Sequence, residues 1–159
     1  MDRTSSRRIV FSFVLGAALC LTAGPAAAQG AGPYQFHSLT PCRVADTRTV
    51  ANGPIVPDGQ TRTIAVQGVC GVPVGAKAAT VNLTAVGPNG VGFLTIFPTG
   101  ITRPLVSSLN FNAGEPALGN GAIVPLADQS AFAQDLSVFA RVTGPGTTHI
   151  VLDVTGYFQ

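Results

Sequence analysis

Between Lys77 and Val86 the chain alternates: Ala79, Val81, Leu83 and Ala85 fall on one side, and Thr80, Asn82 and Thr84 on the other. A period of two places successive side chains on opposite faces of a sheet, so this segment predicts a half-buried strand. Gly87-Pro88-Asn89-Gly90 follows. Proline presets one backbone dihedral and glycine accepts positive φ, which reads as a turn. Gly92 to Phe97 then reads as the return strand of a hairpin.

The same punctuation recurs. Thr61 to Val69 places Ile64 and Val66 on one face. Leu105 to Phe111 alternates Leu105, Ser107, Leu109 and Phe111. Ala122 to Leu126 is short, and Pro125 near its end suits an edge strand. Leu136 to Val142 sets Leu136, Val138, Ala140 and Val142 against Ser137, Phe139 and Arg141. Thr148 to Phe158 sets Ile150, Leu152 and Val154 against Val151, Asp153, Thr155 and Tyr157. Tyr34 to Leu39 and Arg43 to Thr47 carry weaker strand patterns, and Ser130 to Asp135 competes as one helical turn. Eight or nine short strands, no long helical period and Gly/Pro turns predict an all-β domain. We read it as a single β-sandwich, jelly-roll-like or Greek-key, spanning residues 36–159.

The beginning of the chain reads differently. Arg3, Arg7 and Arg8 precede an almost wholly apolar run, Ile9 to Leu21, and then Ala23-Gly24-Pro25-Ala26-Ala27-Ala28. A basic segment, a short apolar segment and an A-x-A site make a secretory signal peptide, cut after Ala28. A run of 13 residues falls short of the ~20 that span a bilayer, so it is not read as a membrane anchor. Ser6-Arg7-Arg8 opens like a twin-arginine signal, but Val10 and the strong apolarity favour the general secretory route. Cys20 follows Leu19 rather than a small residue, which argues against lipidation. Gln29 to Gln35 is read as a flexible N-terminal segment. The expected location is outside the cell, in the periplasm or at the cell surface.

Composition agrees with this reading. The 159 residues include 19 glycines and 12 prolines, which disfavour helix interiors. Charged residues are only 10%, which excludes a disordered polyelectrolyte. The formal charge of +2 belongs to the export segment. With Asp2, Arg3, Arg7 and Arg8 removed, nine basic residues become six and seven acidic ones become six, so residues 29–159 are formally neutral. They contain no basic run, which excludes nucleic acid as an expected partner.

Cleavage leaves two cysteines, Cys42 and Cys70. In an exported chain an oxidised pair is the default. A metal pair without nearby histidines makes a poor site. A nucleophilic cysteine needs a basic partner, and only His37 and His149 exist.

The segments Pro41-Cys42-Arg43-Val44-Ala45-Asp46-Thr47-Arg48, Gln67-Gly68-Val69-Cys70-Gly71-Val72-Pro73, Gly121-Ala122-Ile123-Val124-Pro125-Leu126 and Asp153-Val154-Thr155-Gly156-Tyr157-Phe158 form a combined pattern. It resembles a module of secreted bacterial proteins whose hallmark is Pro-Cys-Arg-x-x-Asp-Thr-Arg near the start and Asp-Val-x-Gly-Tyr-Phe at the end. The match covers about residues 36–158, and the combination is more specific than any fragment. Such modules occur alone behind a signal peptide or appended to exported hydrolases. One departure is Glu115-Pro116-Ala117-Leu118-Gly119-Asn120, where the family has a Gln/Thr-containing segment leading to Ala-Asn. The resemblance implies a secreted, non-catalytic β module of bacterial origin and names no ligand.

Candidate chemistry is sparse. A glycosidase needs two carboxylates facing one cleft, and Asp46 with Asp153 is the pair to test. The competing role is structural: Arg43, Asp46, Arg48 and Asp153 are candidates for salt bridges. The chain contains no G-x-S-x-G, H-E-x-x-H or EF-hand loop, and no metal or cofactor is expected. For a secreted β module the expected partner is a glycan or an extracellular protein. Tyr34, Phe93, Phe97 and Tyr157 are the candidate contact aromatics, and self-association through an open sheet edge is a further expectation. The rival reading is a secreted hydrolase acting through Asp46 and Asp153.

Overall fold

A computed structural model describes residues 33–159. The predicted signal segment, 1–28, and residues 29–32 lie outside the described residues.

Two antiparallel sheets form a β-sandwich. The strands are β1 (Phe36–Asp46), β2 (Val56–Pro57), β3 (Thr61–Ile64), β4 (Ala78–Val86), β5 (Gly92–Pro98), β6 (Leu109–Phe111), β7 (Ala117–Pro125), β8 (Leu136–Val142) and β9 (Thr147–Phe158). The larger sheet runs β1-β9-β4-β7, with the short β2 also on β9, and the smaller runs β3-β8-β5-β6. That neighbour order is the jelly roll, one of the two topologies expected from sequence. One 3-10 turn, Val50–Asn52, follows β1.

The alternation explains the core. Ala79, Val81, Leu83 and Ala85 of β4 are all buried, and so are Leu136, Val138, Ala140 and Val142 of β8 and Ile150, Leu152 and Val154 of β9. These inward rows meet between the sheets, as sandwich strands require. The disulfide Cys42–Cys70, with Cα atoms 5.8 Å apart, ties β1 to the loop after β3. It is the mark of an oxidising environment.

Several expectations are corrected. The Gly87–Gly90 turn does not close a hairpin: β4 pairs with β7 and β9, whereas β5 pairs with β6 and β8. Turn chemistry reverses the chain locally, but both edges of β4 are already taken, so the turn carries the chain across to the other sheet. The strand expected over Thr61–Val69 ends at Ile64. Beyond it the buried Asp135 carboxylate accepts the Val66 and Gln67 amides at 2.9 and 2.8 Å, so a side chain replaces the ladder. The strand expected over Leu105–Phe111 begins only at Leu109. Upstream, Thr95 Oγ1 donates to the Val106 carbonyl and Ile96 N donates to Ser108 Oγ, and Leu105 faces solvent.

Conversely, the strand expected over Ala122–Leu126 begins earlier, at Ala117. Its glycines hide the period, yet it pairs with β4 along its whole length. The segments Tyr34–Leu39 and Arg43–Thr47 merge into one strand, β1, broken by register shifts between Ser38 and Cys42 and between Arg43 and Ala45. The ladder extends outward by one pair, since Gln35 and Gln159 exchange backbone hydrogen bonds of 2.9 and 3.1 Å. In place of a helical turn over Ser130–Asp135, a single turn forms in which Ala131 and Phe132 both donate to the Asp128 carbonyl.

Candidate functional site on the outer face of the larger sheet

With Ala79, Val81, Leu83 and Ala85 pointing inward, β4 presents Thr80, Asn82 and Thr84 outward. Register places Gly156 and Asp153 of β9 beside Thr80 and Asn82, and Arg43 of β1 beside Asp153. On the far side, Gly121 and Gly119 of β7 stand beside Asn82 and Thr84. The result is an outer face that carries Thr80, Asn82, Thr84 and the Arg43–Asp153 pair, with glycines along its β7 margin.

Charge is concentrated at the β1–β9 seam and cancels there. Arg43 grips Asp153 through Nε–Oδ1 at 2.8 Å and Nη2–Oδ2 at 3.1 Å. A third nitrogen, Nη1, reaches Asp46 Oδ2 at 3.3 Å. Arg48 holds the same Asp46 carboxylate through Nε and Nη2 at 2.9 and 2.7 Å, and its backbone amide adds a bond of 3.0 Å. These arginine hydrogen bonds, Arg48's foremost, outweigh the burial of Asp46 and hold its carboxyl well below the usual carboxylate range. The four expected salt-bridge residues therefore form one network, with both carboxylates bridged by Arg43.

Thr47 completes the seam. Its hydroxyl accepts the Ile150 amide at 2.8 Å and lies 3.2 Å from His149 Nδ1. Every named residue of the Cys42-Arg43…Asp46-Thr47-Arg48 segment is thus engaged in a disulfide, an ion pair or a strand clasp. A groove of about 540 Å³ opens beside the seam, lined by Pro41, Cys42, Arg43, Asn82, Asp153 and Thr155.

The aromatic candidates do not converge. Phe93 and Phe97 belong to the smaller sheet. Phe97 is only 6% exposed, so its ring is covered and not free to meet a ligand, although it lies outside the inter-sheet core that Leu94 and Ile96 of the same strand enter. Phe93 leans on Phe139, at 6.2 Å between centroids, and Arg103 caps Phe139 at 4.1 Å. Tyr157 faces the core end of the larger sheet and stacks on His37 at 4.9 Å. Tyr34 is exposed at the start of the described chain.

The sequence reading missed Phe36. Its ring lies on the outer face directly over Gly156: a Cβ on that glycine would stand 2.4 Å from the ring. Phe158 flanks it at 5.3 Å, tilted by 50°. Phe36 is 52% exposed. Next to it, Thr80 Oγ1 and Thr155 Oγ1 are 3.0 Å apart, and Asn82 Nδ2 donates to Thr84 Oγ1 at 3.3 Å. Thr155 projects here because β9 carries one extra residue between the partners of Thr80 and Val81. A Phe two residues after a Tyr carries no signal of this; the cue is the pairing of strand ends, Phe36 with Phe158 and Ser38 with Gly156, which places Phe36 two pairs from Gly156 on the same face.

No protein-family model and no curated protein sequence matches this chain.

Proposed function

We propose that the protein is an exported, non-catalytic module that binds neutral glycans on the outer face of its larger sheet. The observation that carries this reading is the Phe36 ring, seated on Gly156 and half exposed, on the same face from which Thr80, Thr155 and Asn82 project. A sugar presents an apolar C–H face and a rim of hydroxyls. A rigid aromatic surface beside paired donors and acceptors suits both. The neighbouring charges cancel within the Arg43–Asp46–Arg48–Asp153 network, which favours an uncharged ligand over an anionic one. The signal-like N-terminus, the disulfide and the resemblance to secreted bacterial modules support export.

Hydrolysis at Asp46 and Asp153 is the weaker reading. A glycosidase holds one carboxyl protonated by raising its pKa. Here Asp46 is driven the other way by its arginines, and Arg43 occupies the space between both carboxylates.

The test is calorimetry and polysaccharide pulldown with residues 29–159, using neutral and anionic glycans, together with the Phe36→Ala variant. Retention on a neutral glycan that is lost in Phe36→Ala, with a melting temperature lowered by no more than a few degrees, supports the proposal. Capture of a protein with no glycan retained, or glycan binding indifferent to Phe36, overturns it.

A further inference from the structure

The two edges of the larger sheet are built differently. β1 is interrupted by two register shifts, carries Pro41 and Arg43, and is tied down by the disulfide. Interruptions, prolines, charges and covers are the means by which edge strands avoid pairing with other chains. β7 has almost none of these. Its nine residues, Ala117–Pro125, pair with β4 without a register shift and include no charged residue. Proline appears only at its last position. Ala117, Gly119, Asn120, Gly121, Ile123 and Pro125 are exposed.

We propose that β7 pairs antiparallel with β7 of a second copy of this chain, about a two-fold axis through Gly121, making one continuous sheet across two molecules. Side-chain size and strand length set the register. Gly121 is the middle residue of β7, so this register uses all nine residues of both strands. Gly119 and Ile123 lie on the same face, each two residues from the axis. The two-fold therefore sets Ile123 of each copy opposite Gly119 of the other. Ile123 is 66% exposed, a branched apolar side chain lying in water in the isolated molecule. Gly119 opposes it with no side chain of its own, and Ile123 would meet there the Asn82 and Thr84 side chains, which reach to 3.1 Å from where a Gly119 Cβ would stand. A slip of one residue would set outward side chains against inward ones. Both copies bring an uncharged edge, so no repulsion opposes the approach.

An axis normal to the sheet leaves the outer faces of both copies looking the same way. Two Phe36 platforms then lie on one surface, and a polymer reaching both gains effective concentration at the second site. The pairing stands without the glycan reading; only this last consequence rests on it. Contact confined to one strand pair belongs to the small, transient class of interfaces, below ~1,200 Å², so association depends on concentration.

Sedimentation of residues 29–159 from micromolar to millimolar concentration, without any glycan, tests the pairing directly. A monomer–dimer equilibrium is expected. Ile123→Lys places a charge on the edge at an exposed position, so it should leave the melting temperature unchanged and weaken the dimer about ten-fold or more. Gly121→Cys is sterically free, since a Cβ there meets nothing within 4 Å. It should form a disulfide-linked dimer on air oxidation, faster than Val74→Cys, which is exposed on a loop outside the β7 edge. A chain that stays monomeric with Gly121→Cys no faster than Val74→Cys overturns the proposal. So does a dimer that Ile123→Lys leaves intact.

Discussion

Arg43 and Asp153 stand 110 residues apart in the chain and are joined by two parallel hydrogen bonds of 2.8 and 3.1 Å across the β1–β9 ladder. A fork-to-fork pair of this kind fixes geometry as well as energy. It joins the Pro-Cys-Arg-x-x-Asp-Thr-Arg pattern at the start of the domain to the Asp-Val-x-Gly-Tyr-Phe pattern at its end. The two patterns are one structural unit, a clasp between the first and last strands.

The centre of the clasp is Asp46, which accepts hydrogen bonds from Arg43, from the Arg48 side chain and from the Arg48 amide. Asp46→Ala is expected to cost about 1.5–3 kcal/mol, the range for hydrogen bonds to a charged group. The lower part of that range is favoured because both arginines are half exposed and turn to water. The native carboxyl titrates below its unfolded value, so between the two values the unfolded chain binds the proton and the native one does not. Its stabilisation is therefore fully present above pH ~4 and is lost as pH falls through the lowered native value. Urea melts of both proteins should show a gap that is constant near neutrality and narrows below pH ~4. A gap independent of pH down to strong acid would count against this role for Asp46.

The clasp also explains what could be read in advance. Strands β4, β8 and β9 were legible because one face of each is uniformly apolar and buried while the other is mixed, broken by Asn82, Arg141 and Asp153, so period two survives in the sequence. β7 was half hidden, since Gly119 and Gly121 take the outward positions and leave no polar signal. The false hairpin at Gly87–Gly90 has a different cause. Local turn chemistry says that the chain reverses, whereas the partner of β4 is chosen by burial between sheets. The site was less legible than the fold. Phe36 becomes a platform only through its neighbour Gly156, 120 positions away, and a bulge that turns Thr155 outward.

The disulfide closes a loop with a sequence separation of 28. In the chain-entropy account this stabilises the fold by roughly 3–4 kcal/mol. For a domain of this size, that corresponds to a melting temperature lower by about 10–20 °C in the Cys42→Ser/Cys70→Ser variant. Calorimetry with and without reductant separates the cause: reductant should lower the melting temperature of the native protein and leave the variant unmoved.

Phe36 and Phe97 make a controlled pair. Phe36 is 52% exposed and Phe97 is 6% exposed. Phe36→Ala is expected to cost under ~1 kcal/mol of stability, since its burial is partial, while abolishing retention on a neutral glycan. Phe97→Ala removes a packed ring and should cost about 3 kcal/mol or more. Near its own melting transition it unfolds; well below it, glycan retention should be intact. Equal stability losses in chemical denaturation would show that the exposures do not describe the protein in solution.

Asp135 is the most deeply placed carboxylate of the smaller sheet's margin, with no exposed surface. Its oxygens accept the Val66 and Gln67 amides, and its carbonyl accepts Thr99 and Ala127. Gln67, in turn, donates through its side chain to the Ala127 carbonyl and accepts Gly75 N, so one side chain organises three loop segments. Asp135→Ala would leave two buried amides without acceptors, each costing about 1–3 kcal/mol. The expected total is roughly 2–6 kcal/mol, larger than for Asp46→Ala, because these donors cannot turn to water. Asp135→Asn keeps one carbonyl acceptor but sets an amide nitrogen against the second N–H, so it should recover part of the loss at most. Hydrogen exchange locates the effect: protection should fall first at Val66 and Gln67 and leave β4 and β9 slow. Uniform acceleration across all strands would mean that Asp135 supports the whole fold rather than the loop that replaces the missing half of its expected strand.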